Sequence, residues 1–348
     1  MEKLFEKQFI EALKAGKSDK AIFLTQFMDV NSLFRGESLL IWAKKMENEK
    51  VVAYLEEKGA EEKVIAKSDA IKLGEELVES IRNGNLDEAI DLVNQGADVN
   101  EKSGSNFDNL RVAIVEASYE GYVELVELLI ECGADVDAKD GRQVTALSQA
   151  SAKGHLDVVR LLIEAGADVN KRYGCDNVAL IQAATKGRAE VVEELIRAGA
   201  DVGAKNEFGH TVLGGAARSG NVEVVRKILD AGANIDEMGD GVTALMKAAM
   251  EGRKEVLQEL IARGADVNIL SEDGSMTALM YAARNITPEC AEVLVLGEAD
   301  VRIKNKDGKT AIDYAENPQI REAIFKALKK KYQKEPDKIL GLEKEIDF

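Results

Sequence analysis

Across 348 residues the chain carries three prolines, three cysteines, two histidines and one tryptophan, and aromatic residues make up 5% of it. Cys132, Cys175 and Cys290 are too far apart to form a disulfide framework or a metal-ligand spacing, so they read as free thiols. Of the two histidines, His155 falls in a turn between helical runs, and His210 has neither a thiol nor a paired acid near it in sequence. No nucleophile, base or metal cluster converges, and neither enzymatic activity nor a cofactor is expected. Gly214-Gly215 belongs to a helix start and makes a poor phosphate cradle. Apolar runs of membrane-spanning length are missing, and Met1-Glu2-Lys3-Leu4-Phe5-Glu6-Lys7 puts acids where a signal peptide needs basic and then apolar residues. A cytoplasmic protein is expected. Basic charge is also short: 46 Lys and Arg stand against 63 Asp and Glu, a net charge of -17 that repels phosphate backbones and anionic membranes.

What the chain has in abundance is a phrase. Ala97-Asp98-Val99 returns as Ala134-Asp135-Val136, Ala167-Asp168-Val169, Ala200-Asp201-Val202, Ala233-Asn234-Ile235, Ala265-Asp266-Val267 and Ala299-Asp300-Val301, at intervals of 32 to 37 residues. A period of that size marks a solenoid, whose units bury their apolar sides only against their neighbours.

Residues 138–170 show one unit. Thr145 precedes a helical run and is placed to cap it; Leu147 and the small Ala150 share a face, and Gly154 ends the run. A second run, His155 to Glu164, aligns Val158, Val159, Leu162 and Ile163 in one stripe, and Gly166 stops it before a turn-rich link. Each unit therefore reads as helix, turn, helix, hairpin. Thr211-Val212-Leu213, Thr243-Ala244-Leu245, Thr277-Ala278-Leu279 and Thr310-Ala311-Ile312 repeat the cap and core, and Gly121, Gly187, Gly220 and Gly252 repeat the turn.

These residues resemble the ankyrin repeat family, whose units read Thr-Pro-Leu-His-x-Ala-Ala, a Gly-His turn, an apolar second helix and Gly-Ala-Asp-Val-Asn. The resemblance covers residues 84–328 and implies an all-α ankyrin-repeat solenoid of about ten units with degenerate ends. The family proline is replaced by Ala146, Val212, Ala244, Ala278 and Ala311, and the family histidine by Ser148, Ile181, Gly214, Met246, Met280 and Asp313. Without that histidine, packing is expected to carry more of the cohesion between units.

Three regions follow. Residues 1–68 read as degenerate units, with Asp29-Val30-Asn31, Ser38-Leu39-Leu40 and Gly59-Ala60-Glu61 keeping phase; residues 69–330 form the main stack with its closing unit; residues 331–348 are a charged tail. Residues 61–73 lack a threonine cap, Ser68 or Asp69 standing in for it, and a bend is expected there. Residues 101–109 lengthen one hairpin and put Phe107 on a protrusion.

The resemblance implies a protein–protein interaction module, an adaptor, scaffold or inhibitor, that grips a partner polypeptide along first helices and hairpin tips. The matching first-helix positions include Trp42, Glu116, Tyr119, Gln149, Lys153, Gln182, Lys186, Arg218, Lys247, Met250, Tyr281 and Arg284, and the tips add Arg142, Arg172, Tyr173, Phe208 and His210. Eighteen such helix positions between Glu116 and Asn285 hold five basic and three acidic residues, whereas the second helices carry Glu124, Glu127, Glu190, Glu193 and Glu194. A locally basic inner face and an acidic outer face are expected, fitting an acidic or polar segment of another protein. The alternative is a nucleic acid or phosphoinositide in the same groove. The protein is expected to be monomeric on its own.

Overall fold

The computed structural model describes residues 2–29, 33–104, 111–285 and 287–333, so Phe107 and residues 334–348 of the tail lie outside the described residues. The chain packs as two compact units, Met1–Ala146 with Glu164–Gly166, and Leu147–Ile163 with Ala167–Phe348.

The first unit begins with α1 (Glu2–Lys14) and α2 (Ser18–Leu24), then a hairpin of β1 (Leu33–Phe34) and β2 (Glu37–Ser38), followed by α3 (Leu39–Lys45) and α4 (Glu49–Glu57). The helices α5 (Lys67–Arg82) and α6 (Leu86–Asn94) come next, then the strands β3 (Lys102–Ser103) and β4 (Arg111–Val112), and finally α7 (Ala113–Glu120) and α8 (Val123–Glu131). Both hairpins are antiparallel, Leu33 facing Ser38 and Lys102 facing Val112. α7 packs on α5 and α8 on α6, the regular succession.

That succession lapses between α4 and α5. Ser68 and Asp69 do not cap the helix: α5 starts earlier, after the extended Ala66, and runs two turns longer than α7, the next first helix. Its added turns lie on the repeated phrase of its own unit, where the Asp98 amide donates to the Ala70 carbonyl at 2.8 Å and Gly74 lies so close that a Cβ would meet Asp98 O at 2.6 Å. The β1–β2 tip meanwhile reaches the ends of α6 and α8. Arg35 N donates to Asn94 O at 2.6 Å, the Arg35 guanidinium pairs with Glu131 at 2.7 Å, and Gly36 and Gly96 touch backbone to backbone. Phe9, Leu13, Phe34, Leu39, Val51 and Leu55 give this part a core of its own.

In the second unit the pairs are α9 (Ala146–Lys153) with α10 (Leu156–Glu164), α11 (Ala179–Thr185) with α12 (Ala189–Arg197), α13 (Val212–Ser219) with α14 (Val222–Asp230), α15 (Ala244–Met250) with α16 (Lys254–Ala262), α17 (Ala278–Arg284) with α18 (Pro288–Leu296), and α19 (Ala311–Tyr314) with α20 (Pro318–Lys331). From α11 onward, first helices pack on first helices and second on second, with α20 closing against α18. The reason is side-chain size. First helices bury alanines and glycine, as at Gly215, Ala216 and Ala217, which let backbones approach, while second helices bury a stripe such as Val224, Val225 and Ile228.

Threonine caps form as the pattern requires. Thr211, Thr243 and Thr277 Oγ1 accept from the amides three residues on, at 3.0, 3.3 and 3.3 Å. At Met280, which holds the family's histidine position, the sulfur accepts the Thr277 amide at 3.4 Å.

Even without the family histidine, the loops are joined by polar bonds from other residues. The asparagine that ends the phrase clamps the next unit from both sides: Asn170 Nδ2 donates to Gly199 O at 3.1 Å while its Oδ1 accepts from Asp201 N at 2.9 Å. Asn100 does the same to Gly133 and Asp135, and Asn268 to Glu298 and Asp300. Main-chain bonds add to this, with Glu207 N donating to Cys175 O, Glu272 N to Gly241 O and Lys306 N to Gly274 O. A third set links helix ends: Arg188 Nε to Ala152 O, Asn221 Nδ2 to Gly187 O, Arg253 Nε to Arg218 O and Asn285 Nδ2 to Met250 O. The inter-unit polar role thus passes from histidine to asparagine and arginine.

Candidate partner-binding face

In the second unit each first helix follows directly from its hairpin, so successive tips and first-helix surfaces form adjoining rows. The tips are stiff. Asn206 Oδ1 accepts from the amides of Phe208 and His210 at 3.1 and 3.0 Å, and Gly209 takes the left-handed φ of +77° that lets the turn close. Phe208 is left 57% exposed on that rigid turn, 6.0 Å from the His210 ring. Holding an aromatic in place before a partner arrives lowers the ordering cost of contact.

Along the helices, Lys153, Lys186, Arg218 and Arg284 are exposed, Met250 is exposed at 42%, and Gln149, Gln182 and Tyr281 are half-buried. Some of these charges are already engaged. Lys247 Nζ lies 2.7 Å from Asp240 Oδ2, which also faces His210 Nε2 at 3.5 Å, and Arg218 lies 3.6 Å from Glu251. Arg172 spans two hairpins, bonding Asp176 at 2.9 Å and Lys205 O at 3.1 Å.

Tyr173 departs from its expected role. It is 5% exposed, its hydroxyl bonds Val178 O, Gln182 and Ser148, and burial pushes its phenol well above the ordinary range. It anchors the hairpin to the first helices and is not presented to a partner. Gln182 is drawn into the same contact. The Tyr281 phenol is likewise raised, by burial and then by Asp273, and bonds Ser271.

In the first unit Trp42 is half-buried against the hairpin core, donating Nε1–H to Phe34 O at 2.8 Å with its ring edge-on to Phe34. Tyr119 is half-buried on α7. Arg142 belongs to a charge cluster, 2.7 Å from the buried Asp140 and 3.2 Å from Glu116, which Arg111 also meets at 3.1 Å. Burial raises the Glu116 carboxyl, opposed by Arg142 and Arg111.

Two features escaped the sequence reading. The outer face of the second helices is a ladder of both signs rather than an acidic surface: Arg160 meets Glu194 at 2.9 Å, Arg197 bridges Glu194 and Glu193, Lys227 meets Glu193 at 2.6 Å, and Arg226 and Arg263 share Glu259. Hydrogen bonds from these cations hold Glu193, Glu194 and Glu259 below the usual carboxylate range. Second, a shallow depression opens between three successive tips, lined by Phe208, Met238 and Tyr281 with Glu207, Asp240, Glu272 and Asp273. Those acids are spread over about 70 residues of sequence, so only the stacking of units brings them together.

Among the described residues no group of three or more His, Cys, Asp or Glu is placed to hold a metal ion, and no helix is long and apolar enough to cross a membrane. No curated protein matches the chain. Among solved structures it is similar to the crystal structure of the human ASB11 ankyrin repeat domain, with 27% identity and a TM-score of 0.57 over 62% of this chain and 98% of that one. A family model described as ankyrin repeats in three copies matches residues 77–173 and 180–271, and another, for many copies, matches residues 260–315. With more than half of its length matched and the same helix pairs stacked in order, the chain belongs to the ankyrin repeat family.

Proposed function

We propose that this chain works as an adaptor, scaffold or inhibitor in the cytoplasm, holding a partner polypeptide against the first helices and hairpin tips of its second unit. Ankyrin repeats in general bind other proteins. The observation that carries the reading is that Arg218, Met250 and Arg284 stand exposed at equivalent places on successive first helices, with Lys186 exposed one residue past the end of the helix before them, beside the exposed Phe208 on its stiff tip. Arginine and aromatic side chains supply much of the energy of protein interfaces. The outer face offers less to a partner, because its charges already answer one another.

The test is affinity capture with identification of bound proteins, comparing the wild type with Lys153→Glu/Lys186→Glu/Arg218→Glu. The expected outcome is loss of the captured partner with a nearly unchanged melting temperature, since the three residues are exposed. Undiminished capture overturns the choice of face. Capture of nucleic acid or phosphoinositide with a steep loss of affinity as salt rises would instead favour a phosphate ligand.

A further inference from the structure

We infer that the depression between the second unit's hairpin tips receives an arginine side chain of the partner, so that the bound segment runs from arginine at the tips to acidic or polar residues over Lys186 and Arg284. This rests on the docking reading above and adds to it the partner's chemistry and direction.

The argument is charge complementarity around an aromatic pocket. Phe208 stands on the rim, 57% exposed and held by Asn206, and Tyr281 and Met238 form the walls. Around them the acids outnumber the cations. Lys205, the single cation lining the depression among the described residues, is already engaged by Glu237 at 2.8 Å and Met238 O at 3.0 Å. Glu272 is exposed with no cation beside it among the described residues, and the Glu207 carboxylate is met by the Cys175 thiol rather than by a cation. Asp240 is shared between Lys247 and His210. A planar guanidinium satisfies both halves of such a site at once, stacking flat on a ring while its N–H fork reaches carboxylates; a lysine ammonium is a point charge without that planar fork.

The same rows change sign along their length. Away from the tips, at the far ends of the first helices, Lys153, Lys186, Arg218 and Arg284 replace the acids, with Glu251 beside Arg218. One surface therefore presents a negative aromatic end and a positive end. A uniformly acidic or uniformly basic segment is repelled at one of them, whereas a segment of mixed charge is matched in a single direction.

The experiment is selection of a random dodecapeptide phage library on the full-length protein, repeated on Phe208→Ala/Glu272→Gln and on Lys186→Glu/Arg284→Glu. All four positions are exposed, so both variants are expected to fold, with thermal melts as the check. The wild type is expected to enrich peptides pairing arginine with acids; the tip variant loses the arginine preference and the helix variant loses the acids. In the leading synthetic peptide, Arg→Lys is expected to weaken binding about threefold, through loss of the planar fork that stacks on the ring and pairs with carboxylates together. Enriched peptides that lack arginine, or that bind the tip variant and the Arg→Lys peptide equally well, overturn the inference and leave the docking face standing. Selection unaltered by Lys186→Glu/Arg284→Glu, or no enrichment at all, overturns the face as well.

Discussion

The β1–β2 hairpin of the first unit and the hairpins of the second unit are built to the same plan and used differently. In the second unit three tip carbonyls receive an amide from the next tip, Cys175 O from Glu207, Gly241 O from Glu272 and Gly274 O from Lys306. Gly36 O likewise takes Ile65 N at 2.7 Å, but Gly36 also meets Gly96 backbone to backbone, and its neighbour Arg35 holds the end of α6 and pairs with α8. A hairpin can thus act as a shelf for the next unit or as a plug against the ends of distant helices. What selects between them is the absence of a side chain at both meeting points and the segment after α4, which enters α5 without a threonine cap.

The largest disturbance to the regular run is expected from Leu195→Ala. Leu195 is fully buried on α12, and the cavity should cost about 2–5 kcal/mol, read by chemical denaturation. The comparison is sharpest between Gly96→Ala and Gly133→Ala, which stand at the same point of the repeated phrase with φ of +96° and +81°. At Gly133 a Cβ meets nothing within 4 Å, and only the left-handed strain of about 1 kcal/mol applies. At Gly96 it meets Gly36 Cα at 2.5 Å, so the cost should exceed the Gly133 value by about 1–3 kcal/mol, with hydrogen exchange rising in residues 33–38. Equal costs would mean that the plug does not hold.

Asn170→Ala removes both arms of one clamp and should cost about 1–2 kcal/mol, with faster exchange at the Asp201 amide that it holds. Thr211→Ala should cost about 1 kcal/mol in a thermal melt through the lost Gly214 N–H bond. The smallest effect belongs to the outer ladder. Glu259 is held below its ordinary value of 4.5, so its contribution is present above that pH and fades as pH falls through the depressed value. Glu259→Gln should therefore melt slightly below wild type at pH 7, with the gap closing in acid; a constant gap would remove the ladder's ionic role.

Much of the architecture was readable in the letters. The threonines, the glycine stops and the valine–leucine stripes are local signals, and the cap bonds at Thr211, Thr243 and Thr277 occur where the spacing put them. The missing histidine hid the polar bonding between units, because asparagine at the end of the phrase supplies it from another place. Tyr173 misled because a tip aromatic can fold under its own turn as readily as stand clear of it, which is what Phe208 does. Neither outcome is written in residue type.

Periodicity by itself determined the helix pairs, their order and the existence of a stack, because each of those depends on residues within one or two turns of each other. Only the tertiary structure decided that the Gly36 tip plugs α6, that Lys247 spends its charge on Asp240, and that Phe208, Tyr281 and Glu272 share one depression. These are meetings between side chains on different units, set by the distance and rotation from one shelf to the next, which no single repeat carries.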